Sequence, residues 1–429
     1  MKILKNIQPN DWSKYMSRPI LENEKLTYIV NSILISVKAN KDLALKKYAL
    51  EFDHVNLDAL KVSLAELEEA SSLVSGELKE AINVAKDNIE KFHSHQQIDE
   101  VAIETTKGIK CWRKSVAIEK VGLYIPGGSA PLFSTILMLG LPAKIAGCKE
   151  IILCTPSDKN AKVHPAILYT ASIIGIKEIY KVGGAQAIAA MAFGTESIPP
   201  VYKIFGPGNQ YVTKAKQLVQ LQGIAIDMPA GPSEVLIIAD KTGNPSFIAA
   251  DLLSQAEHGP DSQVLLLSND ESIIDRTMIA LGEQVDALPR SIIAKKALQN
   301  SKAILLDSIE DCIEFSNQYA PEHLIIASNQ AMQYVDKIVN AGSVFIGNYS
   351  CESAGDYASG TNHTLPTNGF AKSYSGVSLD SFVKKITFQE ITKEGISAIG
   401  STIEIMAESE ELFAHKNAVT LRLKKIGNV

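Results

Sequence analysis

The chain has 429 residues, of which 46% are hydrophobic and 21% are charged, and its formal net charge is −6. This length exceeds the size at which one hydrophobic core usually stops growing, so we expect two or more globular units rather than one compact domain. Charges of both signs are mixed along the chain without a basic run, so the sequence offers no electrostatic footprint for nucleic acid.

Membrane insertion and secretion are also not predicted. The longest apolar runs, such as residues 136–141 and 235–239, are far shorter than the roughly 20 residues that a helix needs to span a bilayer. The first six residues carry no apolar segment of the kind found in secretory signals. Five scattered cysteines without a Cys-x-x-Cys pair are typical of thiols in a reducing compartment. We therefore expect a cytoplasmic protein that acts on a small molecule.

In chain order, the first hundred residues carry apolar side chains at helical spacing, for example Leu26, Val30 and Ile33, and later Ile82 and Ile89. This spacing predicts a helical N-terminal layer. After about residue 375 the apolar residues Phe382, Val383, Ile386 and Ile391 again suggest helical spacing, and a helical C-terminal arm is predicted.

Between these helical regions, short β-branched runs alternate with helical stretches. The first series of runs comprises residues 121–125, 151–154, 179–182 and 201–205. The second series comprises residues 235–239, 264–267, 303–306, 324–327 and 344–346. Such alternation is typical of mostly parallel sheets. The predicted fold class is α/β, with two incomplete Rossmann-like parallel-sheet units.

Three glycine-rich turns follow strands of the first series and precede helices, at residues 126–129, 183–186 and 206–209. Their backbone N–H groups would suit an anion, but tight turns that need positive φ explain them equally well. None matches G-x-G-x-x-G, so these residues alone do not establish a dinucleotide site.

The eight histidines divide into two groups. Four of them lie away from acids and glycines, which indicates structural or surface roles: His54, His93, His95 and His164. The other four lie beside acids, glycines or prolines, as functional residues on loops often do: His258, His323, His363 and His415.

A helical pattern that begins near Phe247 ends at the stop signal Gly259-Pro260, which places Gln255 and His258 three residues apart on one face of the last turn. An imidazole with a side-chain amide is a partial ligand set for a divalent metal. The alternative is a helix-end histidine that interacts with the helix dipole.

Glu322 and His323 follow Pro321 at the start of a buried-looking strand. Neighbours in a strand point to opposite faces, so this pair is either one surface and one core residue, or two proton-transfer groups that reach a cleft at the strand edge.

The polar, glycine-rich segment 342–367 is either an ordinary surface loop or a functional one. Asp356 offers a hard oxygen ligand, and His363 offers a further ligand or a substrate contact. Farther along, Glu410 and His415 would by themselves indicate an exposed helix face.

Together, these segments, residues 226–234 and the glycine turns resemble the histidinol dehydrogenase family in order and spacing, from Gly122 to Leu421. The resemblance implies that one zinc ion per subunit is held by Gln255, His258 and Asp356 together with His415 from the other subunit of a homodimer. A site of mixed nitrogen and oxygen ligands would also accept manganese or cobalt.

The resemblance also implies the reaction, a four-electron oxidation of L-histidinol to L-histidine by two NAD⁺ through a bound L-histidinaldehyde, the last step of histidine biosynthesis. His323 would act as the general base and Glu322 would activate water. The implied substrate contacts are Ser233, Gln255, His258, His323, Asp356, His363, Glu410 and His415. The implied NAD contacts are Tyr124, Gln186 and Asn209.

On this basis the predicted domains are an N-terminal arm (1–20), a first α/β domain with the metal and catalytic motifs (21–120 plus 233–375), a second α/β domain on the NAD side (121–232), and a helical arm (376–429) swapped onto the partner subunit. Three alternatives remain open from the residues alone. They are an aldehyde dehydrogenase with Cys154 or Cys351 as nucleophile, a metal-dependent hydrolase, and a non-catalytic metal-binding protein.

Overall fold

The computed structural model describes residues 1–18, 24–98, 100–127, 131–229 and 231–427. The predicted domain boundary at residues 20 and 21, Gly128 and Ser129 of the first glycine turn, and Ala230 lie outside these ranges. The chain divides into two compact units, one formed by Met1–Gln96 with Ile118–Ser381 and the other by Gln97–Ala117 with Phe382–Val429.

A six-stranded sheet forms part of the first unit, counted over the described residues. Its strands are Lys2–Leu4, Lys302–Leu305, Gln263–Ser268, Glu234–Ala239, His323–Ala327 and Ser343–Ile346 in spatial order, all parallel to their neighbours. The helices along this part of the chain are Pro245–Ala256, Glu271–Ala287, Ser291–Gln299 and Ile309–Tyr319. Val235 and Ile237 enter one core while Leu236 and Ile238 enter another, because successive strand residues point to opposite faces and both faces are covered.

A five-stranded sheet lies in the same unit, again counted over the described residues. Its parallel strands are Glu178–Tyr180, Glu150–Cys154, Lys120–Tyr124, Lys203–Phe205 and Ala225–Ile226 in spatial order. Its helices are Phe133–Ala146, Pro165–Ile173, Gly184–Phe193 and Gln210–Gln220. The predicted α/β class with two parallel-sheet units is therefore confirmed, with most strand ends within one or two residues of the predicted ends.

The N-terminal layer is helical, as predicted, with helices Glu24–Phe52, Leu64–Leu73 and Gly76–Ser94. These helices contact the helices of the five-stranded sheet, and the apolar residues of Glu24–Phe52 share a buried cluster with Gly184–Phe193. The predicted grouping of residues 21–120 with residues 233–375 as one domain stays a prediction.

The second unit contains a three-stranded antiparallel sheet, counted over the described residues, with Ile109–Ala117 between Val383–Ile391 and Ile103–Thr106. The prediction of a helix through Val383–Ile391 is therefore wrong. This segment is rich in the β-branched and aromatic residues that favour strands, and its pairing partner is distant in sequence. The helices Lys393–Ser409 and Phe413–Gly427 confirm the helical character of the following arm.

The remaining helices within the described ranges are short. They are the α-helices Trp12–Tyr15 and Glu352–Tyr357 and the 3-10 helices Pro9–Asp11, Ala331–Lys337, Phe370–Lys372 and Leu379–Phe382. Within the described ranges, none of the helices is both long enough and apolar enough to cross a membrane.

The buried His93 gives the fold a pH-dependent component. Its ring lies in helix Gly76–Ser94, fully buried, with Nδ1 at 3.2 Å from Oε1 of Gln96. Burial lowers the pKa of His93 below its usual value, against the smaller raising effect of Gln96. As the pH falls below the unfolded pKa, the unfolded chain therefore binds a proton that the folded chain resists, and folding stability is lost.

We expect His93→Leu to show a smaller loss of unfolding free energy between neutral and mildly acidic pH than the parent, measured by urea unfolding. A loss as steep as in the parent would contradict this assignment.

Candidate active site

Gln255 and His258 mark the end of a helix, but not as predicted. The helix Pro245–Ala256 is capped by Asn244 and ends before Glu257, so His258 lies just beyond the last turn rather than on it. The backbone N–H of His258 still donates to the carbonyl of Gln255 at 3.3 Å. Gln255 is buried, and its Oε1 has no hydrogen-bond partner among the described residues.

Glu322 and His323 both turn inward. Helix Ile309–Tyr319 ends at Ala320, whose φ of 56° is left-handed, and the strand His323–Ala327 starts after Pro321. Both side chains are buried, with Oε2 of Glu322 at 3.7 Å from Nδ1 of His323. The alternative of one surface residue and one core residue is therefore excluded, because the pair sits at the strand end where both side chains reach the same interior space.

The polar segment that follows strand Ser343–Ile346 contributes two more of the predicted site residues. Asp356 lies in the short helix Glu352–Tyr357, with Oδ1 at 3.6 Å from Nε2 of His323. His363 is fixed by two contacts, Nδ1 with the carbonyl of Asp356 at 2.9 Å and Nε2 with Oγ1 of Thr135 at 3.1 Å. This segment is thus an ordered part of the site and not a loose surface loop.

Glu352 belongs to the site but was not predicted from the sequence. It is almost fully buried, and both of its carboxylate oxygens lack a hydrogen-bond partner within the described part of the chain. One ligand atom each from His258, Glu352 and Asp356 lie within 4.8 Å of one another. The available signal was its position four residues before Asp356, because residues i and i+4 share a helix face.

The electrostatics of the site are dominated by buried carboxyl groups. Burial raises the pKa of Glu322 to about 7, although nearby His323 opposes this. Burial would lower the pKa of His323, but the carboxylates of Glu352, Glu322 and Asp356 outweigh it and raise that pKa to about 10. Burial likewise raises the pKa of Glu352 well above its usual range. These shifts mark Glu322 and Glu352 as carboxyl groups that are costly to ionise unless a positive charge compensates them.

A divalent cation fits this donor set. Carboxylate oxygens of Glu352 and Asp356 lie within 4.8 Å of a ring nitrogen of His258. Oε1 of Gln255 is also without a partner among the described residues, while Nε2 of the same amide donates to Glu322 at 3.3 Å. Buried carboxylates and polar atoms without partners are costly unless a cation or hydrogen bonds compensate them. Mixed imidazole and oxygen donors suit zinc, and also manganese or cobalt.

Two of the predicted substrate residues belong to the second unit. Glu410 caps the end of helix Lys393–Ser409 and His415 lies in helix Phe413–Gly427, and both are exposed in the single chain. Ser233 lies in the first unit, directly before strand Glu234–Ala239, and is half-buried.

The three predicted NAD contacts line one cavity of about 1000 Å³ at the ends of strands in the five-stranded sheet. The hydroxyl of buried Tyr124 accepts a hydrogen bond of 3.0 Å from the N–H of Gly184, and burial raises its pKa to about 12. Gln186 is buried at the start of helix Gly184–Phe193, whereas Asn209 caps the next helix, Gln210–Gln220. Among the described residues that line this cavity, none belongs to the cation cluster.

The glycine turns at this cavity have the geometry of tight turns. Gly184 has φ of 67° and Gly206 has φ of 126°, and a Cβ on Gly206 would lie 2.1 Å from the carbonyl oxygen of Tyr124. Gly183 and Gly184 also line the cavity. His164, which the sequence assigned to a structural or surface role, lines it too while its Nδ1 accepts from the N–H of Ala166.

Of the two nominated cysteines, Cys154 does not resemble a nucleophile. Cys154 is completely buried in the five-stranded sheet, and burial raises the pKa of its thiol. Cys351 caps the helix Glu352–Tyr357 and is half-buried. A reactive cysteine needs an accessible, stabilised thiolate, so Cys154 is unsuited to the thiohemiacetal alternative.

Two parallel sheets, a cluster of nitrogen and oxygen donors, and a buried acid–base pair beside it define an α/β protein with a candidate active site. The family model of histidinol dehydrogenase matches residues 16–423. The histidinol dehydrogenase of Bacteroides fragilis is 59% identical over 426 residues, which covers 99% of this chain and 100% of the relative. That of Escherichia coli K12 is 53% identical over 414 residues, covering 96% and 94% respectively. The crystal structure of histidinol dehydrogenase from Elizabethkingia anophelis superposes with a TM-score of 0.98 at 60% identity, covering 100% of this chain and 99% of that one.

The chain therefore belongs to the histidinol dehydrogenase family. It is an NAD-dependent oxidoreductase, as the sequence predicted.

Proposed function

We propose that this enzyme oxidises L-histidinol to L-histidine in the last step of histidine biosynthesis, with two NAD⁺ and a bound L-histidinaldehyde between the two hydride transfers. The observation that carries the proposal is that Gln255 contacts Glu322, and that Asp356, which lies beside His258, contacts His323. Each hydride transfer needs a proton acceptor at the reacting oxygen, and oxidation of the aldehyde also needs a water.

Gln255, His258 and Asp356, with His415 of the partner subunit, would hold one zinc ion per subunit. When bound, the metal would act as a Lewis acid that orients the imidazole and amine groups of the substrate. The support is the set of buried oxygens that lack partners among the described residues, together with an imidazole at the same place. The metal-binding role of each residue follows from the family resemblance.

His323 is suited to take the proton of the substrate hydroxyl. Its Nδ1 lies 3.2 Å from the carbonyl oxygen of Glu234, and a carbonyl can only accept, so Nδ1 carries the hydrogen. Without a cation, the nearby carboxylates raise the pKa of His323 to about 10 and keep a second hydrogen on Nε2, which lies 3.6 Å from Oδ1 of Asp356. A cation bound to Asp356 would offset that negative charge and leave Nε2 as the basic nitrogen. A histidine whose tautomer is set in this way presents its lone pair to the cleft.

Glu322 is suited to activate the water that adds to the aldehyde. One of its oxygens, Oε2, accepts from the N–H of Glu234 at 2.8 Å and from Nε2 of Gln255 at 3.3 Å. A carboxyl group with pKa of about 7 is an efficient base at neutral pH. Ser233, His363 and Glu410 would add contacts to the substrate.

NAD⁺ would occupy the cavity that Tyr124, Gln186 and Asn209 line. Its volume is in the ordinary range for a cofactor site, and two helices begin at its rim.

We also propose a cytoplasmic homodimer whose C-terminal arm completes the partner's site. All five cysteines are free thiols, as a reducing compartment permits.

Metal removal tests the proposed function. We expect NADH formation from histidinol to fall by more than about 100-fold after verified removal of the metal by a chelator, because several kcal/mol of orientation and charge stabilisation are lost. Zinc re-addition should restore the rate. Full activity in protein shown to be metal-free would contradict the metal assignment, and absence of NADH formation in the metal-loaded enzyme would contradict the reaction.

The Glu322→Gln variant separates the two oxidation steps. We expect the oxidation of histidinaldehyde to slow by about 100-fold, because general-base activation of water is lost, while histidinol oxidation slows much less. Single-turnover assays that start from each substrate measure the two steps. Equal slowing of both steps would show that Glu322 does not act specifically on water. Glu310→Gln, the same change on an exposed carboxylate paired with Lys337, serves as the control.

A further inference from the structure

Glu234 contacts both residues of the proposed acid–base pair, but only through its backbone. Its N–H donates to Oε2 of Glu322 at 2.8 Å, and its carbonyl accepts from Nδ1 of His323 at 3.2 Å. This one residue therefore helps to hold both side chains in place and keeps a hydrogen on Nδ1 of His323.

The side chain of Glu234 is buried and held from several directions. Nε of Arg18 donates to Oε1 at 2.5 Å, and Nη2 of Arg18 donates to Oε2 at 3.0 Å. The backbone N–H of Asn368 donates to Oε1 at 3.0 Å. A bidentate pair of a guanidinium with a carboxylate fixes geometry as well as charge.

Arg18 is itself held firmly in place. Its guanidinium lies 3.7 Å above the ring of Tyr319, and Nη2 also donates to the carbonyl of Tyr319 at 2.8 Å. The hydroxyl of Tyr319 donates to Oε1 of Gln263 at 2.7 Å. Tyr319 ends the helix that precedes Glu322. Arg18 therefore contacts both the end of this helix and the side chain of Glu234.

The location of Glu234 explains why such an anchor is needed. Glu234 is the first residue of its strand and follows Gly231, Pro232 and Ser233. The ladder to His323–Ala327 begins only at Val235, which pairs with His323. The N–H and carbonyl of Glu234 that face the site therefore bind Glu322 and His323 instead of a neighbouring strand, while on the other edge Glu234 is in register with Gln263. The side chain adds an anchor at this strand end, which is paired on one edge only.

We propose that Glu234, anchored by Arg18, is a positioning residue that holds Glu322 and His323 in their working geometry. This inference rests on the proposed function of that pair. Arg18 and Glu234 do not touch the substrate in this arrangement and act only through the peptide of Glu234. Loss of the contact between Arg18 and Glu234 should slow both oxidation steps, because Glu322 and His323 both depend on it. Metal binding and substrate binding should stay intact.

The experiment compares Arg18→Lys, Arg18→Gly and Glu234→Gln in the zinc-loaded enzyme. We expect kcat for both histidinol and histidinaldehyde to fall about 10- to 100-fold, as small misplacements of catalytic groups do. The KM for histidinol and the zinc content should stay within about twofold of the parent. Guanidinium ions at concentrations far below denaturing levels should partly restore Arg18→Gly but not Glu234→Gln.

A purely structural role predicts a different pattern. Ile313→Ala removes a buried side chain on the same face of the six-stranded sheet and serves as a control for lost stability. If the anchor variants lost no more kcat than Ile313→Ala at an equal fall in Tm, or if folded Arg18→Lys and Glu234→Gln kept the parent kcat, the proposal would be overturned.

The His323→Asn variant, measured in the same assay, separates the proposed function of the pair from the positioning role of Glu234. Full activity in His323→Asn would refute the proposed function of the pair. Loss of activity in His323→Asn, with parent kcat in folded Arg18→Lys and Glu234→Gln, would refute only the positioning role.

Discussion

His323→Asn is expected to lower kcat for histidinol oxidation by about a thousandfold, because a general base contributes roughly 10²- to 10⁴-fold. Asparagine keeps a donor that can reach the carbonyl of Glu234, where Nδ1 of His323 now donates. It cannot accept a proton from the substrate hydroxyl. The change therefore removes the basic nitrogen while it retains much of the local packing.

The residual activity of this variant has an expected pH dependence. With no side-chain base, hydroxide takes the proton, so kcat should rise in proportion to hydroxide concentration over the alkaline range in which the fold is intact. His95→Asn, the same change on an exposed histidine of the N-terminal layer, is the matched control and should keep the parent rate. A His323→Asn enzyme with more than about a tenth of the parent kcat would contradict the base assignment.

The two parallel sheets were predictable because their strands are short β-branched runs that must be buried on both faces. The same local reasoning failed at Val383–Ile391, where apolar spacing suggested a helix. Its strand conformation depends on pairing with Ile109–Ala117, a contact between distant parts of the chain. Periodicity within one segment carries no information about such a partner.

In the candidate site, too, some residues were predictable from the sequence and others were not. Gln255, His258, Glu322, His323, Asp356 and His363 stood out because imidazoles and acids occurred beside helix stops, prolines and glycines. Glu352 did not stand out, because its segment resembled an irregular loop and the helix Glu352–Tyr357 that aligns it with Asp356 became visible only in the structure. The contact of Arg18 with Glu234 joins the N-terminal region to the start of a distant strand, and nothing in either segment alone indicates it.

His415→Asn is expected to lower kcat by about a thousandfold, because loss of one of four proposed protein ligands weakens both metal binding and substrate orientation. His415 lies in the second unit of the chain, on the exposed surface of helix Phe413–Gly427. In the proposed homodimer it serves the site of the other subunit, where Gln255, His258 and Asp356 supply the remaining ligands. This arrangement predicts complementation between two inactive variants.

Mixed dimers of His415→Asn and His258→Asn provide the decisive measurement. With shared sites, one site of each mixed dimer carries both changes and the other carries neither, so random mixing should restore about a quarter of the parent activity. Sites built from a single chain would each keep one change, and mixing would restore nothing. His415→Asn mixed with Glu410→Gln is the control, because both residues belong to the same arm and no site would then be intact. Restoration in the control, or none in the first mixture when mixed dimers are shown to form, would contradict the swapped arm.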